Sequence, residues 1–439
     1  MTNAILLHTN EEGLRQRGIA WKDLVAMKVS SAIGLLLFLG LTKSGRENVR
    51  SIWRKGPCAR NICLATMSGT RFQDILVMLR FDDKTTRNRQ NDKFAPIRDI
   101  FDQFAASCRR YYSAGENVPV DKQLVPFRGR CPFLQYMPSK PAKYGIKFWL
   151  CVDVDTHYTL NIFLYLGKQR DQTTDNRGAE VVKKLMEPLY NTGRNVTCDN
   201  YFTRSRLAIE LLQKGLTLVG TIKPNRWEVP QEICPNRVKK RDAKSSVFLF
   251  NGDLTLVSYI PKPKRSVILL SSMHHDKSVD GINQKPEIIN FYNKTKGGVD
   301  TLDQMVSLYS VLRTTKRWPL TVFYNMINIV ALNAYILYCQ LNLDWARRHT
   351  RRDFYEELIM ALVRPQIELR AANPVGLHTH TVSAIGILGF NVVRQRELER
   401  QHHLNAPLRR DCYLCPSRSQ GDHAPRTDFS PTYNTWKPS

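Results

Sequence analysis

From Trp21 to about Tyr112 the apolar positions recur three and four residues apart, as in Phe72, Ile75, Leu76 and Leu79 and again in Ile97, Phe101, Phe104 and Cys108. That spacing predicts a helical region. After Gly115 the pattern changes to alternation and short apolar runs. Residues 118–127, 145–154 and 158–166, separated by Gly, Pro and polar breaks, read as three successive strands of an antiparallel meander. A helix over 179–189, a short buried strand at 195–198, a helix over 206–213 and a strand over 216–222 follow. Residues 223–276 are basic and punctuated by Pro, with strand-like runs at 247–250, 254–259 and 267–270 that read as a β-rich insertion. A helix is expected from Gly298, carrying Asp300, Leu302, Met305 and Leu308, and Trp318-Pro319 opens an apolar helical run to Leu341.

Composition changes the picture in one respect. The 439 residues are ordinary in hydrophobic, aromatic and charged content, but 65 Lys and Arg face 39 Asp and Glu, a net charge of +26. A compact fold with that charge repels itself unless a polyanion offsets it, so nucleic acid is the leading class of partner. Ten scattered cysteines are too sparse for a disulfide scaffold and suggest a reducing compartment. The apolar run 32–41 is shorter than the ~20 residues of a membrane span, and the first residues show no signal-peptide pattern. A soluble intracellular protein without a membrane role is expected.

Three antiparallel strands followed by alternating helix and strand is the RNase H-like plan, in which the first and fourth strands are neighbours. Asp121 lies in the first strand and Asp199 directly after the short fourth one, so the two would meet. Asp300 and Asp303, three apart, share a helix face. Carboxylates converging in this way can hold the divalent ions used in phosphodiester chemistry. Asp153 competes with Asp121, but it ends the middle strand of the meander, and Asp-Val-Asp-Thr-His at 153–157 is turn chemistry.

Four long motifs are more specific: Phe-Arg-Gly-Arg-Cys-Pro-Phe from Phe127, Tyr-Met-Pro-Ser-Lys-Pro-Ala-Lys-Tyr-Gly-Ile-Lys from Tyr136, Thr-Cys-Asp-Asn-Tyr-Phe from Thr197, and Thr-Lys-Gly-Gly-Val-Asp-Thr-Leu-Asp-Gln-Met from Thr295. Together with Arg71-Phe72, Phe-Asp-Asp from Phe81 and Lys-Arg-Trp-Pro from Lys316, they resemble the piggyBac transposase family over about residues 20–415. The resemblance implies catalytic and Mg²⁺-holding roles for Asp121, Asp199 and Asp300, with Asp303 as an accessory fourth and two ions between them. It implies an α/β fold: an RNase H-like catalytic core (117–224 and 287–309) with a β-rich insertion (225–286). A helical dimerisation and DNA-binding domain built from two segments (1–116 and 310–405) flanks that core, and a shortened cysteine-rich tail (406–439) follows.

Two departures from the family pattern stand out. Where the family usually has Asp-Glu-Gln, this chain has Asp121-Lys122-Gln123. Alternation along a strand sends Lys122 to the face opposite Asp121, where it would miss the metals and only weaken their binding. Cys412 and Cys415 open like the family's zinc domain, but no later cysteine follows them, so a zinc site is not expected within one chain.

Between Lys122 and Lys147, the cations Arg128, Arg130, Lys140, Lys143 and Lys147 alternate with Phe127, Phe133, Tyr136 and Tyr144 and with no acid, a pattern suited to tracking phosphates. Arg313, Lys316 and Arg317 form a second candidate clamp, while Trp318 and the 323–337 stripe read as core or dimer interface. The expectation is a nuclear, homodimeric, cut-and-paste transposase acting on double-stranded DNA, with a TTAA target implied by the resemblance. The alternative is a DNA-binding descendant that has lost catalysis.

Overall fold

A computed structural model describes residues 1–87, 92–167, 177–234, 241–263, 265–281 and 284–393; Cys412 and Cys415 lie outside them. Six helices come first: α1 (Thr2–Arg17), α2 (Ala26–Leu41), α3 (Val49–Ile52), α4 (Asn61–Thr66), α5 (Gly69–Met78) and α6 (Arg98–Arg110). Strands β1 (Asn117–Pro126), β2 (Gln135–Tyr136), β3 (Tyr144–Val152) and β4 (Thr159–Leu164) follow. Next come α7 (Arg177–Met186), β5 (Asn195–Cys198), α8 (Ser205–Leu212) and β6 (Thr217–Thr221). The strands β7 (Ser246–Asn251), β8 (Leu254–Lys262), β9 (Arg265–Ser271), β10 (Val279–Asp280) and β11 (Lys285–Pro286) lead to α9 (Glu287–Thr295) and α10 (Gly298–Leu308). The last helices are α11 (Trp318–Leu341), α12 (Leu343–Arg348), α13 (Arg351–Ala372) and α14 (Thr379–Ile387).

The strands and helices read from periodicity are present, because the apolar stripes that signalled them are buried. Ile100, Phe101, Phe104 and Cys108 form the inner face of α6, and β3 is buried from Gly145 to Val152 apart from half-exposed Lys147. Three helical stretches escaped the pattern for identifiable reasons. α1 has almost no apolar face and instead buries Glu12, which pairs with Arg80 at 2.6 Å. α9 is only nine residues long. Beyond α11, the chain continues helical through α12 and α13, on stripes interrupted by charge, and through the nine-residue α14.

The sheet order is β2-β3-β1-β5-β6-β9-β8-β7, with β4 on β3. β1 is antiparallel to β3 and parallel to β5, with Val120 opposite Cys198. This is the neighbour relation on which the aspartate pairing depends. Within the expected insertion, 225–286, β10 and β11 form a separate two-stranded antiparallel sheet, and the other strands join the large one. β9 pairs antiparallel with β6, so the core sheet runs on through β9, β8 and β7, and Val219, Val257, Leu269, Ile289 and Tyr292 make a second small apolar cluster there.

Helices from both halves of the chain pack together. The Ser31 hydroxyl of α2 donates to the Leu362 carbonyl of α13, and Arg370 donates to the Leu64 and Ala65 carbonyls of α4. Among the described helices only Trp318–Leu341 is long and apolar enough to cross a membrane, and most of it is buried within the protein. Its buried asparagines bind neighbouring elements as a core helix requires. Asn325 donates to Gln123 of β1, Asn333 bonds both backbone groups of Thr159 at β4, and Asn328 accepts from Val311 N.

Candidate active site: a lysine-bridged carboxylate cleft

Position by position, the pairing of β1 with β5 ends at Val120 and Cys198, and the next residue on each strand is the aspartate. The third element, α10, reaches β1 because it begins with glycine. A Cβ on Gly298 would stand 2.6 Å from Pro119 Cγ and 2.9 Å from Val152 Cγ2, closer than packed carbons approach. That close approach brings Asp300 and Asp303 into a cavity of about 650 Å³ whose lining includes Asp121, Lys122, Gln123, Lys140 and Asn325. Asp199 joins through Lys122.

Asp199 is fixed by the Tyr201 amide, which donates to its Oδ1 at 2.8 Å. Asp303 is held by a relay: Asn325 Nδ2 donates to Gln123 Oε1, and Gln123 Nε2 donates to Asp303 Oδ1, each at 2.8 Å. The sequence signal for Asn325 was there to be read: it is one of three buried asparagines on an otherwise apolar helix, where each amide needs a partner.

Lys122 corrects the expectation drawn from strand alternation. Its Nζ lies 3.1 Å from Asp121 Oδ1 and 2.8 Å from Asp199 Oδ2. Alternation fixes the direction of Cα–Cβ, but a four-carbon stem is long enough to bring the ammonium back to two carboxylates. Lys140, in the turn between β2 and β3, does the same across the cavity, at 3.1 Å from Asp300 Oδ1 and 3.5 Å from Asp303 Oδ2. Burial raises the Asp121 carboxyl, with Lys122 pulling it down and Asp199 pushing it up. Burial alone would lower the Lys122 ammonium, but Asp121 and Asp199 more than offset that and leave it raised.

Asp303 carries a testable consequence. Burial pushes its carboxyl up to about 6, against the Gln123 hydrogen bond and Lys140 that favour the ionised form. A carboxyl raised on folding binds its proton more tightly in the native state. Its contribution is therefore full below the ordinary carboxylate range and is lost as pH rises through about 6. Asp303→Asn keeps an acceptor for Gln123 without a charge. We expect its unfolding free energy to change less than wild type between pH 4 and 7, and to exceed wild type at pH 7 by ~2 kcal/mol, measured by urea melts. Equal pH profiles would refute this assignment.

Asp153 is a turn staple, as its sequence setting implied. Its Oδ1 accepts from the amides of Asp155 and Thr156 and from the Thr156 hydroxyl, and its Oδ2 accepts from Gly115 N at 2.7 Å. It is buried within the protein, and none of these partners lines the cavity. Asp153→Asn is expected to lower stability by ~2 kcal/mol through loss of a charge-assisted acceptor, while leaving DNA affinity unchanged. A chemical melt and a gel-shift assay on the same sample test this.

The cations expected to face DNA divide into two sets. Arg128, Arg130, Lys143 and Lys316 are exposed, beside exposed Tyr136 and Tyr144, whose rings lie 4.8 Å apart; the Arg128 guanidinium lies 5.9 Å from the Tyr144 ring. The other set faces inward. Lys140 is on the carboxylates. Lys147 Nζ stands 3.6 Å from the centre of the Trp149 ring with Tyr165 and Tyr201 nearby, and burial, with Lys122 adding repulsion, lowers it to about 8. Arg313 donates to the carbonyls of Ser44 and Glu47, and Arg317 to those of Leu76, Val77 and Leu79. These two arginines tie α11's leading segment to the amino-terminal helices, so the expected second clamp retains only Lys316. Trp318 packs against Phe94 and Phe133, as core.

A sheet that gathers carboxylates from two parallel strand ends and a helix, under a basic aromatic hairpin, defines a protein of the transposase class. Comparison with known proteins agrees. A family profile described as Transposase IS4 matches residues 1–335. A solved piggyBac transposase, in a synaptic complex with hairpin DNA, superposes with a TM-score of 0.83 at 34% identity, covering 94% of this chain and 88% of that one. The human PiggyBac transposable element-derived protein 3 is 24% identical over 323 residues, 70% of this chain and 54% of that protein. The human chimeric ERCC6-PGBD3 protein is 24% identical over the same length, 30% of its own. The chain thus spans about half the length of the first of these human relatives and less of the second. It belongs to the piggyBac family of transposases and is a piggyBac-like transposase or a protein derived from one.

Oxygen donors converging on one cleft fit a hard divalent cation in kind. Among the described residues, however, no three His, Cys, Asp or Glu side chains are grouped closely enough to hold one ion; each aspartate pair closes on a lysine instead.

Proposed function

We propose that this chain binds transposon-end DNA and performs strand cleavage and transfer in the cleft of Asp121, Asp199, Asp300 and Asp303. The observation that carries the reading is the convergence of these four carboxylates from β1, β5 and α10. In this reading the sheet carrying Asp121 and Asp199 is an RNase H-like core, and the strands β7 to β9 are its insertion. The helices at either side supply dimerisation and DNA binding, and the site of action is the nucleus.

These aspartates would be the residues that hold Mg²⁺; bound in the cleft, it would supply activation of an attacking oxygen and stabilisation of the leaving one. The chain's own part is positional. Gln123 and Asn325 set the Asp303 carboxylate, and the Tyr201 amide sets Asp199. Arg128, Arg130 and Lys143 give phosphates a polar landing beside the cleft, with Tyr136 and Tyr144 available to stack on unpaired bases.

Support for DNA as substrate comes from the net charge of +26 and from the solved relative's hairpin DNA complex. TTAA as target and a homodimer as the working unit are part of this proposal, as the motif resemblance implies. The test is incubation of the full chain with double-stranded and hairpin DNA ending in TTAA, with Mg²⁺ or Mn²⁺. Strand breaks that Asp199→Ala lacks are expected.

A second reading, a family member that binds DNA without cutting it, is favoured by one observation, the Lys122 ammonium between Asp121 and Asp199. It would be preferred if wild type and Lys122→Glu both bind the same DNA and neither cuts it.

A further inference from the structure

The two lysines of the cleft are not equivalent. Lys122 stands in β1 opposite Trp149 of β3, two residues beyond the end of the β1–β5 pairing. Its side chain is 23% exposed, and the carboxylates it joins are 20% and 31% exposed. Lys147, held over the Trp149 ring, lies near enough to repel it. The ammonium therefore has two anions and one repelling cation near it. Lys140, by contrast, sits in a turn closed by the Lys140–Met137 and Lys143–Lys140 backbone bonds, and its nearer partner Asp300 is 64% exposed. The Lys140 side chain is itself only 19% exposed, but the exposed Asp300 carboxylate can part from it by a swing into water. Lys122 has no such release, since Asp121 and Asp199 are both held in the protein at 20% and 31% exposed.

Charge leads to the same asymmetry. Four carboxylates and two ammoniums leave the cleft with two negative charges, enough to neutralise one divalent ion; only with both lysines withdrawn would there be enough for two.

We propose that Lys122 is a built-in cation that takes the place of one divalent ion between Asp121 and Asp199, so that the cleft accepts a single divalent ion, on the Asp300–Asp303 side. The inference rests on reading the four aspartates as a metal-binding set, and it concerns how many ions this chain's residues admit. A fixed ammonium can hold the two carboxylates together and neutralise them. It cannot do what a metal does to a bound water, because it has no open coordination position. The site would remain assembled for DNA while giving up part of its catalytic power.

The probe is Mn²⁺, which carboxylates bind readily and which is counted by loss of its free EPR signal. Titration of the full chain at neutral pH is expected to give about one Mn²⁺ per chain for wild type and for Lys122→Arg, which keeps the charge. Lys122→Gln is expected to take up a second ion at least ~10-fold more tightly than wild type does, because a repelling charge has gone from the position. A thermal melt gives a reading independent of catalysis. Without metal, Lys122→Gln should melt below wild type, since Asp121 and Asp199 then face each other unscreened, and Mn²⁺ should raise its midpoint more than that of wild type. Lys122→Gln binding no more Mn²⁺ than wild type overturns the proposal. Two ions per wild-type chain also overturn it, while leaving the metal-dependent reading of the cleft intact. If neither wild type nor Lys122→Gln binds Mn²⁺, both fall together.

Discussion

Asp199→Ala is expected to abolish strand cleavage while binding DNA about as well as wild type. In the proposed function the two activities depend on different groups. Affinity for DNA comes largely from cations that neutralise phosphates, and the exposed ones here, Arg128, Arg130, Lys143 and Lys316, do not touch Asp199. Cleavage depends on carboxylates converging at one point, and Asp199 contributes the whole of β5's share. The preorganised charges of a reacting centre are worth several kcal/mol of transition-state stabilisation, so losing one of the four carboxylates should cost ~10³-fold or more in rate. Binding should tighten slightly, because removal of the carboxylate leaves Lys122 with only Asp121 as its anionic partner. Gel shifts at two salt concentrations, run beside single-turnover cleavage, measure both quantities. A folded Asp199→Ala that loses DNA affinity and cleavage together would show that the cleft itself binds the DNA.

The pairing of Asp121 with Asp199 was legible in the sequence because both follow short apolar runs, and a strand buried on both faces announces itself by such a run. Asp300 and Asp303 were legible because a three-residue interval on a helix puts two side chains on one face. Lys122 was misread for a reason that also has to do with periodicity: alternation describes where a side chain starts, and a long flexible cation ends wherever the nearest carboxylates are. The β7 to β9 strands were recognisable as strands, but their continuation of the core sheet rests on the pairing of Val219, Gly220 and Thr221 with Ser271, Leu270 and Leu269, which no local pattern encodes. The same holds for the partners of Arg313 and Arg317. These are backbone carbonyls of the amino-terminal helical region, and a carbonyl leaves no signature in a residue's identity. Basic clusters therefore look alike in sequence whether their ends point at DNA or at the protein's own main chain.

That distinction gives the second large effect. Arg317→Ala is expected to destabilise the fold, whereas Arg128→Ala is expected to weaken DNA binding. Arg317 donates to the Leu76, Val77 and Leu79 carbonyls at the carboxyl end of α5, where a helix leaves its last carbonyls without partners and carries partial negative charge. Burial, together with nearby Arg80, lowers the Arg317 guanidinium to about 10, so it remains charged at neutral pH. Arg80 also donates to Val77 and Leu79, which leaves the Leu76 carbonyl most dependent on Arg317. Truncation removes charge-assisted bonds and the packed stem together, a loss of ~3 kcal/mol, while DNA affinity measured well below the melting range should stay close to wild type. Arg128 is exposed and its guanidinium faces only the Tyr144 ring, so Arg128→Ala should change stability by less than ~0.5 kcal/mol. It should also reduce the slope of log affinity against log salt by about one phosphate contact. If Arg317→Ala melts like wild type and shows the reduced salt slope, then Arg317 leaves its carbonyls to bind phosphate, and the clamp expected from the Arg313, Lys316 and Arg317 cluster operates after all.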